Sequence, residues 1–572
     1  MVFLLVMMLA AHPNPAGEFL PQWMTPEESL RADQIGETHV VTTPPGCWVE
    51  TPGEFEQLRG VFITWRYEYG SSLDYIFYEI VREVAGVSKA YIIVRSGTEQ
   101  SNVSTYLTNH GVPLDSVTFM MFPNNSIWMR DYGPWFMRKE DNSEGICDFI
   151  YNRPRPEDDT IPWRIGNAWS IPVYGSPLEH PGGNFMVDGL GTGFASDLIY
   201  DENSGFTSQE IESLMLEYCG LHQFIVLPQI SIEYTKHIDL WTKILNDTLV
   251  LVGEYESGHP NHTILNQNAA LIESKKNREG INYRVARMPM PWSTSNSPPS
   301  YLNSLMVNGK VLVPLWNELE DDTAQIIYQQ LLPTYDIVGI NCSSMSGWGG
   351  AIHCITMQAP SDRFLHVKHE PLPDTTFDTL NPYRVRTEII TSNTLIPDSS
   401  LVYYRINGNP VFSTDSLVAV GDTPGVYVGY IPAQSPGDTV YYFLQAKNND
   451  GIRKRVPSHA PIHVYSFLVA PGVSVYSDDI KKRTHEFSTF PNPVHTRVFY
   501  SFSLEKESEI EIEIFNILGQ KVSAVKERYN AGHHTVEWDL RDTDGTHVSR
   551  GIYFFTVTSD EWKENGKMII MK

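Results

Sequence analysis

The period of the apolar positions changes once along the chain, and that change divides it. In the first part, short apolar runs alternate with segments whose apolar residues recur every three or four positions. Residues 60–65 (GVFITW) predict a buried strand. Residues 73–84 predict a helix with Ile76, Phe77, Ile80, Val81 and Val84 on one face, and 89–94 (KAYIIV) the next strand. The same alternation predicts helices over 209–218 and 322–332 and strands over 223–227, 249–252 and 337–340. Asn308-Gly309 between two apolar runs signals a hairpin. These repeated short units make an α/β domain.

After about Pro382 the helical period disappears. Residues 401–406, 425–431 and 439–444 are rich in Val and Tyr, with turns at Asn407-Gly408 and Asp450-Gly451. Many short strands between turn signals suggest an immunoglobulin-like sandwich. Residues 472–486 form a polar hinge, and 487–572 a second small β unit in which 510–515 (IEIEIF) alternate strictly. Residues 12–45, rich in Pro, Thr and Glu with weak periodicity, read as a linker or pro-like segment.

A length of 572 residues fits three or four units at ~150 residues each. A net charge of -26 argues against nucleic acid or an anionic membrane as partner. It suits a secreted protein or an enzyme with a cationic substrate. The five cysteines show neither CxxC nor zinc-ribbon spacing, and their low density predicts no disulfide framework. Residues 2–11 resemble the apolar core of a secretory signal peptide, without basic residues before them or a clean cleavage site after. No other run approaches the ~18 apolar residues of a membrane helix.

The candidate chemistry lies in the α/β domain. Gly347-Trp348-Gly349-Gly350-Ala351-Ile352-His353-Cys354 places a thiol after three glycines that let the backbone turn tightly and approach a ligand. Alone, Cys354 reads equally well as a small buried residue. In His237-Ile238-Asp239, a strand would put imidazole and carboxylate on one face. Asp131 stands among aromatics in Trp128-Met129-Arg130-Asp131-Tyr132-Gly133-Pro134-Trp135, a setting for a flat cation. Gly182-Gly183-Asn184 suggests a tight loop, and Asn303 could orient a partner or cap a turn. Arg153 and Arg155, stiffened by Pro154 and Pro156, make sense as a grip on a carboxylate. A thiol, an imidazole and two acids together suit a guanidinium, whose carbon the acids would hold beside the sulfur. The thiolate would add to it, and the imidazole would protonate the departing ammonia.

The segments MRDYGPW, GGN, HID and GGAIHCIT, in this order, resemble the agmatine deiminase and bacterial Porphyromonas-type peptidylarginine deiminase family. The resemblance implies a pentein fold, a five-bladed propeller of ββαβ-like units, over residues 47–371. It implies Cys354 as nucleophile, His237 as general acid/base, Asp131 and Asp239 as holders of the guanidinium, and Asn303 as support. Residues 149–159 (FIYNRPRPEDD) resemble the peptidylarginine branch. There Arg153 and Arg155 would bind the carboxylate of a C-terminal arginine, with Trp128, Tyr234, Gly182 and Gly183 near the substrate. The product would be citrulline, and the substrates peptides or proteins with arginine. The immunoglobulin-like unit is placed at 383–470, after a signal-like segment at 1–15 and a linker at 16–46. Residues 487–572 resemble a type IX secretion sorting domain in Phe490-Pro491-Asn492-Pro493, in 516–522, in Gly551-Ile552-Tyr553 and in 567–572. That implies an export machinery as partner and a secreted or surface-attached product in a Gram-negative bacterium.

Three rival readings are an agmatine deiminase of putrescine synthesis, a metal hydrolase using His237, Asp239, His353 and Cys354, and a non-enzymatic adhesin. The arginine pair and the export unit argue against the first, and the spacing of the residues against the second. No cofactor is required by the chemistry; a structural calcium would find acids at Glu157-Asp158-Asp159.

Overall fold

The computed structural model describes residues 20–570 except 68–70, 142, 422, 424, 471–486, 491–493, 495–496, 505, 517–518, 544 and 561. The signal-like run, the polar hinge and most of Phe490-Pro491-Asn492-Pro493 lie outside the described residues. The chain divides into two units, 1–471 and 472–572.

Residues 49–360 build five small sheets on one plan. Two short strands pair antiparallel, and a helix then carries the chain to a third strand parallel to the second. Met186–Val187, Thr192–Ser196 and Gln223–Leu227 follow this plan around the helix Ser208–Cys219. So do Thr242–Ile244, Leu249–Glu254 and Arg284–Pro289 around His262–Glu273. Leu305–Val307, Lys310–Leu315 and Asp336–Asn341 repeat it around Asp321–Leu331. Trp135–Lys139, Glu144–Ile150 and Val173–Glu179 do the same around Ile161–Trp169, with Val49–Glu50 added at the edge. In the remaining sheet Leu58–Thr64 is parallel to Lys89–Val94 across the helix Ser71–Ala85. Its antiparallel partner, Thr356–Pro360, comes from the far end of the domain and closes it.

The local reasons are visible in the sequence. Ser208–Cys219 starts at a capping box of Thr207 and Glu210 and stops at Gly220, whose φ of +73° is the left-handed conformation a helix terminus takes. Asn308 and Gly309, with φ of 41° and 86°, make the hairpin that their identity predicted. The predicted helices and strands recur within two or three residues of their expected ends. One apolar core runs through all five sheets, with Phe62, Trp65, Phe194, Leu251 and Val313 fully buried.

Two expectations are corrected. The β sandwich begins at Leu365–His369, which pairs with Tyr383–Thr391, rather than at 383. The five-sheet domain therefore ends near Pro360, and residues 361–364 join the two without a spacer. From Leu20 onward, the segment expected to be a linker is packed on the five-sheet domain. Thr42 N–H donates to the Gly175 carbonyl at 2.9 Å, and a His39 ring nitrogen lies 2.8 Å from that of Ser176.

The sandwich encloses Val385, Val402, Ile431, Tyr442 and Phe467 between two sheets. It is tied to the five-sheet domain by Thr248 Oγ1 and His459 Nε2 at 2.7 Å and by Ser458 N–H donating to Glu279 at 2.8 Å. The second unit packs sheets of three and four strands around Val498, Tyr500, Ile512, Ile514 and Phe555. In Ser508–Asn516 the alternation is as read, with Ile510, Ile512 and Ile514 buried.

Candidate active site

The five-sheet plan has one consequence for chemistry. Just before the first strand of each sheet the chain makes a short turn, and each turn carries a candidate residue. Asp131 precedes Trp135–Lys139, Gly182 and Gly183 precede Met186–Val187, and His237 and Asp239 precede Thr242–Ile244. Asn303 precedes Leu305–Val307, and Cys354 precedes the closing strand Thr356–Pro360. These turns meet.

Asp131 lies on the single helical turn Met129–Tyr132. Its Oδ1 accepts the Gly183 N–H at 3.2 Å and stands 3.3 Å from His237 Nδ1. A Cβ on Gly183 would lie 2.5 Å from His237 Nδ1 and 2.7 Å from Asp131 Oδ1. The glycine thus lets the backbone reach the acid–imidazole pair. Gly182 likewise lies against the Arg130 carbonyl. His237-Ile238-Asp239 is not a strand. His237 is extended, and Ile238–Leu240 is a 3-10 turn that swings Asp239 toward the sulfur by a different geometry than expected.

Asn303 organises the thiol. Its Nδ2 donates to Cys354 Sγ at 3.0 Å and to Asp239 Oδ2 at 3.1 Å. Its Oδ1 accepts the backbone N–H groups of Ala351 and Cys354 at 2.9 and 3.2 Å. Cys354 Sγ donates to Asp239 Oδ2 at 3.4 Å. Asp239 Oδ1 and His237 Nε2 are buried and have no hydrogen-bond partner among the described residues.

Charge is distributed with a purpose that local sequence did not disclose. Burial, then the Asp239 and Asp131 carboxylates, pushes the Cys354 thiol well above its usual range, with Asn303 opposing. Burial would lower the His237 pKa, but Asp131 overrides it and the net shift is upward. Burial would raise Asp131, and His237 and Arg153 bring it down instead. His353 bridges Asp239 Oδ2 at 2.7 Å and Glu54 Oε2 at 2.8 Å. Glu54 in turn pairs with Lys243 at 2.6 Å and lies 3.6 Å from Arg130. Burial works against the Glu54 charge, and these cations hold its pKa well below the usual carboxylate value. Sequence reasoning missed Glu54, a lone acid between strands with no motif around it.

The arginine pair is neither solvated nor idle. Arg153 Nε donates to the Gln22 carbonyl at 3.0 Å. Arg155 is fully buried and forms two bonds to the Glu28 carboxylate, at 2.7 and 3.1 Å. Gln22 was not a candidate, yet its side chain sits in the centre. Its Nε2 donates to Asp131 Oδ2 at 3.1 Å and to Cys354 Sγ at 3.3 Å, and lies 3.4 Å from His237 Nδ1. Trp128 is buried and donates its indole N–H to the Leu20 carbonyl at 2.8 Å. Tyr234, half exposed, stacks against Trp23 with centroids 4.7 Å apart. A surface pocket of about 640 Å³ beside the helix Ser208–Cys219 is lined by none of these residues.

The acids suggested for calcium do not converge. Asp158 accepts from Ser126 and Asn125, whereas Asp159 accepts from Tyr151 N–H and Thr38. Among the described residues, no group of three His, Cys, Asp or Glu side chains could hold a metal ion.

Two outcomes follow from this geometry. Asn303→Ala strands two buried backbone N–H groups and costs about 2 kcal/mol, read from the urea midpoint. The upward shift at His237 stabilises the fold fully below the unfolded value of about 6.5 and is lost as pH rises through the folded value. Asp131→Asn therefore destabilises strongly near pH 6, and the gap in melting temperature from the parent narrows as pH rises toward about 9. A gap that widens instead would contradict the pairing.

Comparison with known proteins fits the geometry. Residues 50–360 match the model of the Porphyromonas-type peptidyl-arginine deiminase family, and 488–571 that of a secretion system C-terminal sorting domain. Proteins named "Putative agmatine deiminase" from Legionella pneumophila (strain Paris) and Shewanella frigidimarina (strain NCIMB 400) are 26% and 25% identical. Those alignments cover 55% and 58% of this chain and 92% and 99% of the relatives. The solved agmatine deiminase of Enterococcus faecalis superposes with a TM-score of 0.51 at 21% identity, over 57% of this chain and all of that one. The type IX sorting domain makes this an exported protein, secreted from or attached to the surface of a Gram-negative cell. No helix among the described residues is long and apolar enough to cross a membrane. The chain belongs to the Porphyromonas-type peptidyl-arginine deiminase family, guanidino-group deiminases related to the agmatine deiminases.

Proposed function

We propose that this protein hydrolyses the guanidinium of arginine in peptides to citrulline and ammonia, with a preference for C-terminal arginine. The five sheets are read as the blades of the pentein propeller, with the reaction at the meeting point of their turns. The observation that carries the proposal is the pair of buried carboxylates, Asp131 and Asp239, beside one thiol, with Asp239 Oδ1 lacking a donor. A guanidinium supplies N–H groups to both acids and sets its carbon beside the sulfur.

In this mechanism Cys354 is the nucleophile. A cation among the two acids reverses the field that keeps the thiol neutral. The thiol proton passes to water, the thiolate adds to the guanidinium carbon, and His237, protonated through Asp131, gives a proton to the leaving nitrogen, whose bond to that carbon breaks as it departs as ammonia. The carbon stays bound to sulfur as a thiouronium. Water, losing a proton to His237, attacks that carbon; the C–S bond breaks and the ureido group leaves with Cys354 restored. Asn303 fixes the sulfur through Nδ2.

Arg153 and Arg155 support the peptide reading over agmatine, which has no carboxylate. Arg153 already holds the main-chain carbonyl of the residue whose side chain enters the pocket. That is the carbon at which a C-terminal arginine carries its carboxylate.

The test is citrulline formation from a peptide ending in arginine, a peptide with internal arginine, and agmatine, using the parent chain and a variant carrying both Gln22→Ala and Glu28→Ala. The expected order is C-terminal arginine first. Arg153→Ala combined with Arg155→Ala should raise KM for that peptide at least about tenfold, the scale of a lost charge-assisted contact. Equal turnover of agmatine, or no change of KM, overturns the specificity; absence of any ureido product overturns the reaction.

A further inference from the structure

We infer that residues 20–46 form an intramolecular inhibitor of this site, with the Gln22 carboxamide in the guanidine position, and that the chain is latent until the segment is cut or displaced. The inference rests on the proposed function only for the identity of the group Gln22 imitates.

Gln22 is fully buried, and its main chain and its side-chain NH2 group are held. Its side chain touches Asp131, His237 and Cys354. Its N–H donates to the Trp348 carbonyl at 3.1 Å, and its carbonyl accepts from Arg153. Arg155 donates to the flanking carbonyls of Pro21 and Trp23 at 2.7 and 3.2 Å and pairs with Glu28. Trp23, next to Gln22, packs its ring at a tilt against that of Tyr234. Thr25 and Glu28 close a capping box that sets Glu28 in place. Cβ atoms on Gly349 and Gly350 would come within 2.9 Å of Gln22, so both glycines make room for it.

The carboxamide is a partial imitation. It is planar and offers one NH2 group, so it satisfies Asp131 and leaves Asp239 Oδ1 and His237 Nε2 without partners. Being neutral, it does not draw the thiol toward ionisation. Its Oε1 also has no donor, so an oxyanion formed by attack of sulfur on the amide would be unsupported. Gln22 therefore occupies the site without being consumed.

The tether gives the weak imitation its strength. A short linked segment acts at an effective concentration of about millimolar, above that of a free competitor at micromolar levels. Cutting the link removes that advantage. Residues 29–34 are all exposed, between Glu28 in the site and the anchor at His39 and Thr42. Cleavage there frees the inhibitory end alone.

The experiment places a site-specific protease sequence between Ala32 and Asp33 in the full chain. Alkylation of Cys354 by chloroacetamidine, a small reagent whose cationic amidinium draws the thiol toward ionisation as a guanidinium would, is followed by mass spectrometry of its peptide, which separates it from the exposed Cys47. Cleavage should speed labelling at least tenfold, and so should Gln22→Ala with Glu28→Ala in the uncut chain. A synthetic peptide of residues 20–28 should restore protection to the cut protein, and the same peptide with Gln22→Ala should not. Equal labelling of the intact and opened chains, protection by both peptides alike, or conversion of Gln22 to glutamate in the intact chain overturns the inference. Fast labelling of an opened chain that turns over no guanidine leaves latency standing and overturns the reaction proposed above.

Discussion

Two carboxylates beside one buried sulfur are the constraint on which the rest depends. At 4 Å and an effective dielectric of 20, two like charges cost about 4 kcal/mol, close to three powers of ten in an ionisation constant. Asp131 and Asp239 thus keep Cys354 protonated while the site holds nothing positive. A flat cation bridging the acids reverses the sign of that effect. On the function proposed above, substrate binding and activation of the nucleophile become one event, and neutral molecules of similar shape leave the thiol inert.

Such a site survives burial only because each acid has a hydrogen-bonding partner behind it. Asp131 is backed by His237, and Asp239 by His353. His353 leans on Glu54, which Lys243 and Arg130 neutralise in turn. The alternation runs outward from the sulfur through Glu54 to Lys243 and Arg130. Removing one member would leave the next as a buried, unpaired charge. The pocket-facing edge, Asp239 Oδ1 and His237 Nε2, is where the alternation is left open.

The sequence disclosed the parts that depend on local pattern. Alternating strand and helix periods gave the repeated units, because each helix must bury one face on its own sheet. Asp131, His237, Asp239, Asn303 and Cys354 were legible because each sits in a short polar turn interrupting apolar runs. Glu54 was not, since its partners Lys243, Arg130 and His353 lie far away in the chain and meet it only in the folded domain. The strand considered at His237-Ile238-Asp239 is not formed, because the chain leaves extended His237 directly into the 3-10 turn Ile238–Leu240. Gln22 was invisible for a different reason. Its segment has no period because it packs on a surface already built, through carbonyls and one carboxylate, and such contacts leave no trace in the order of apolar residues. The export unit was legible because its strict alternation at Ile510, Ile512 and Ile514 needs nothing beyond its own sheet.

On the two proposals made above, the same residues serve latency and choice of substrate. With the segment in place, Arg155 is neutralised by Glu28, and Arg153 is spent on a carbonyl. Its departure uncovers two guanidinium groups at the mouth and two carboxylates at the bottom in a single step. The opened site is then positive outside and negative inside. On the function proposed above, this matches a residue that is anionic at its carboxyl end and cationic at its side-chain tip, as a C-terminal arginine is. An arginine in place of Gln22 would be turned over, whereas a glutamate would meet Asp131 and Asp239 with like charge. Among side chains that donate an N–H from a planar terminus, glutamine keeps the donor and gives up the charge. A neutral occupant of that kind can hold the pocket through export without triggering the thiol.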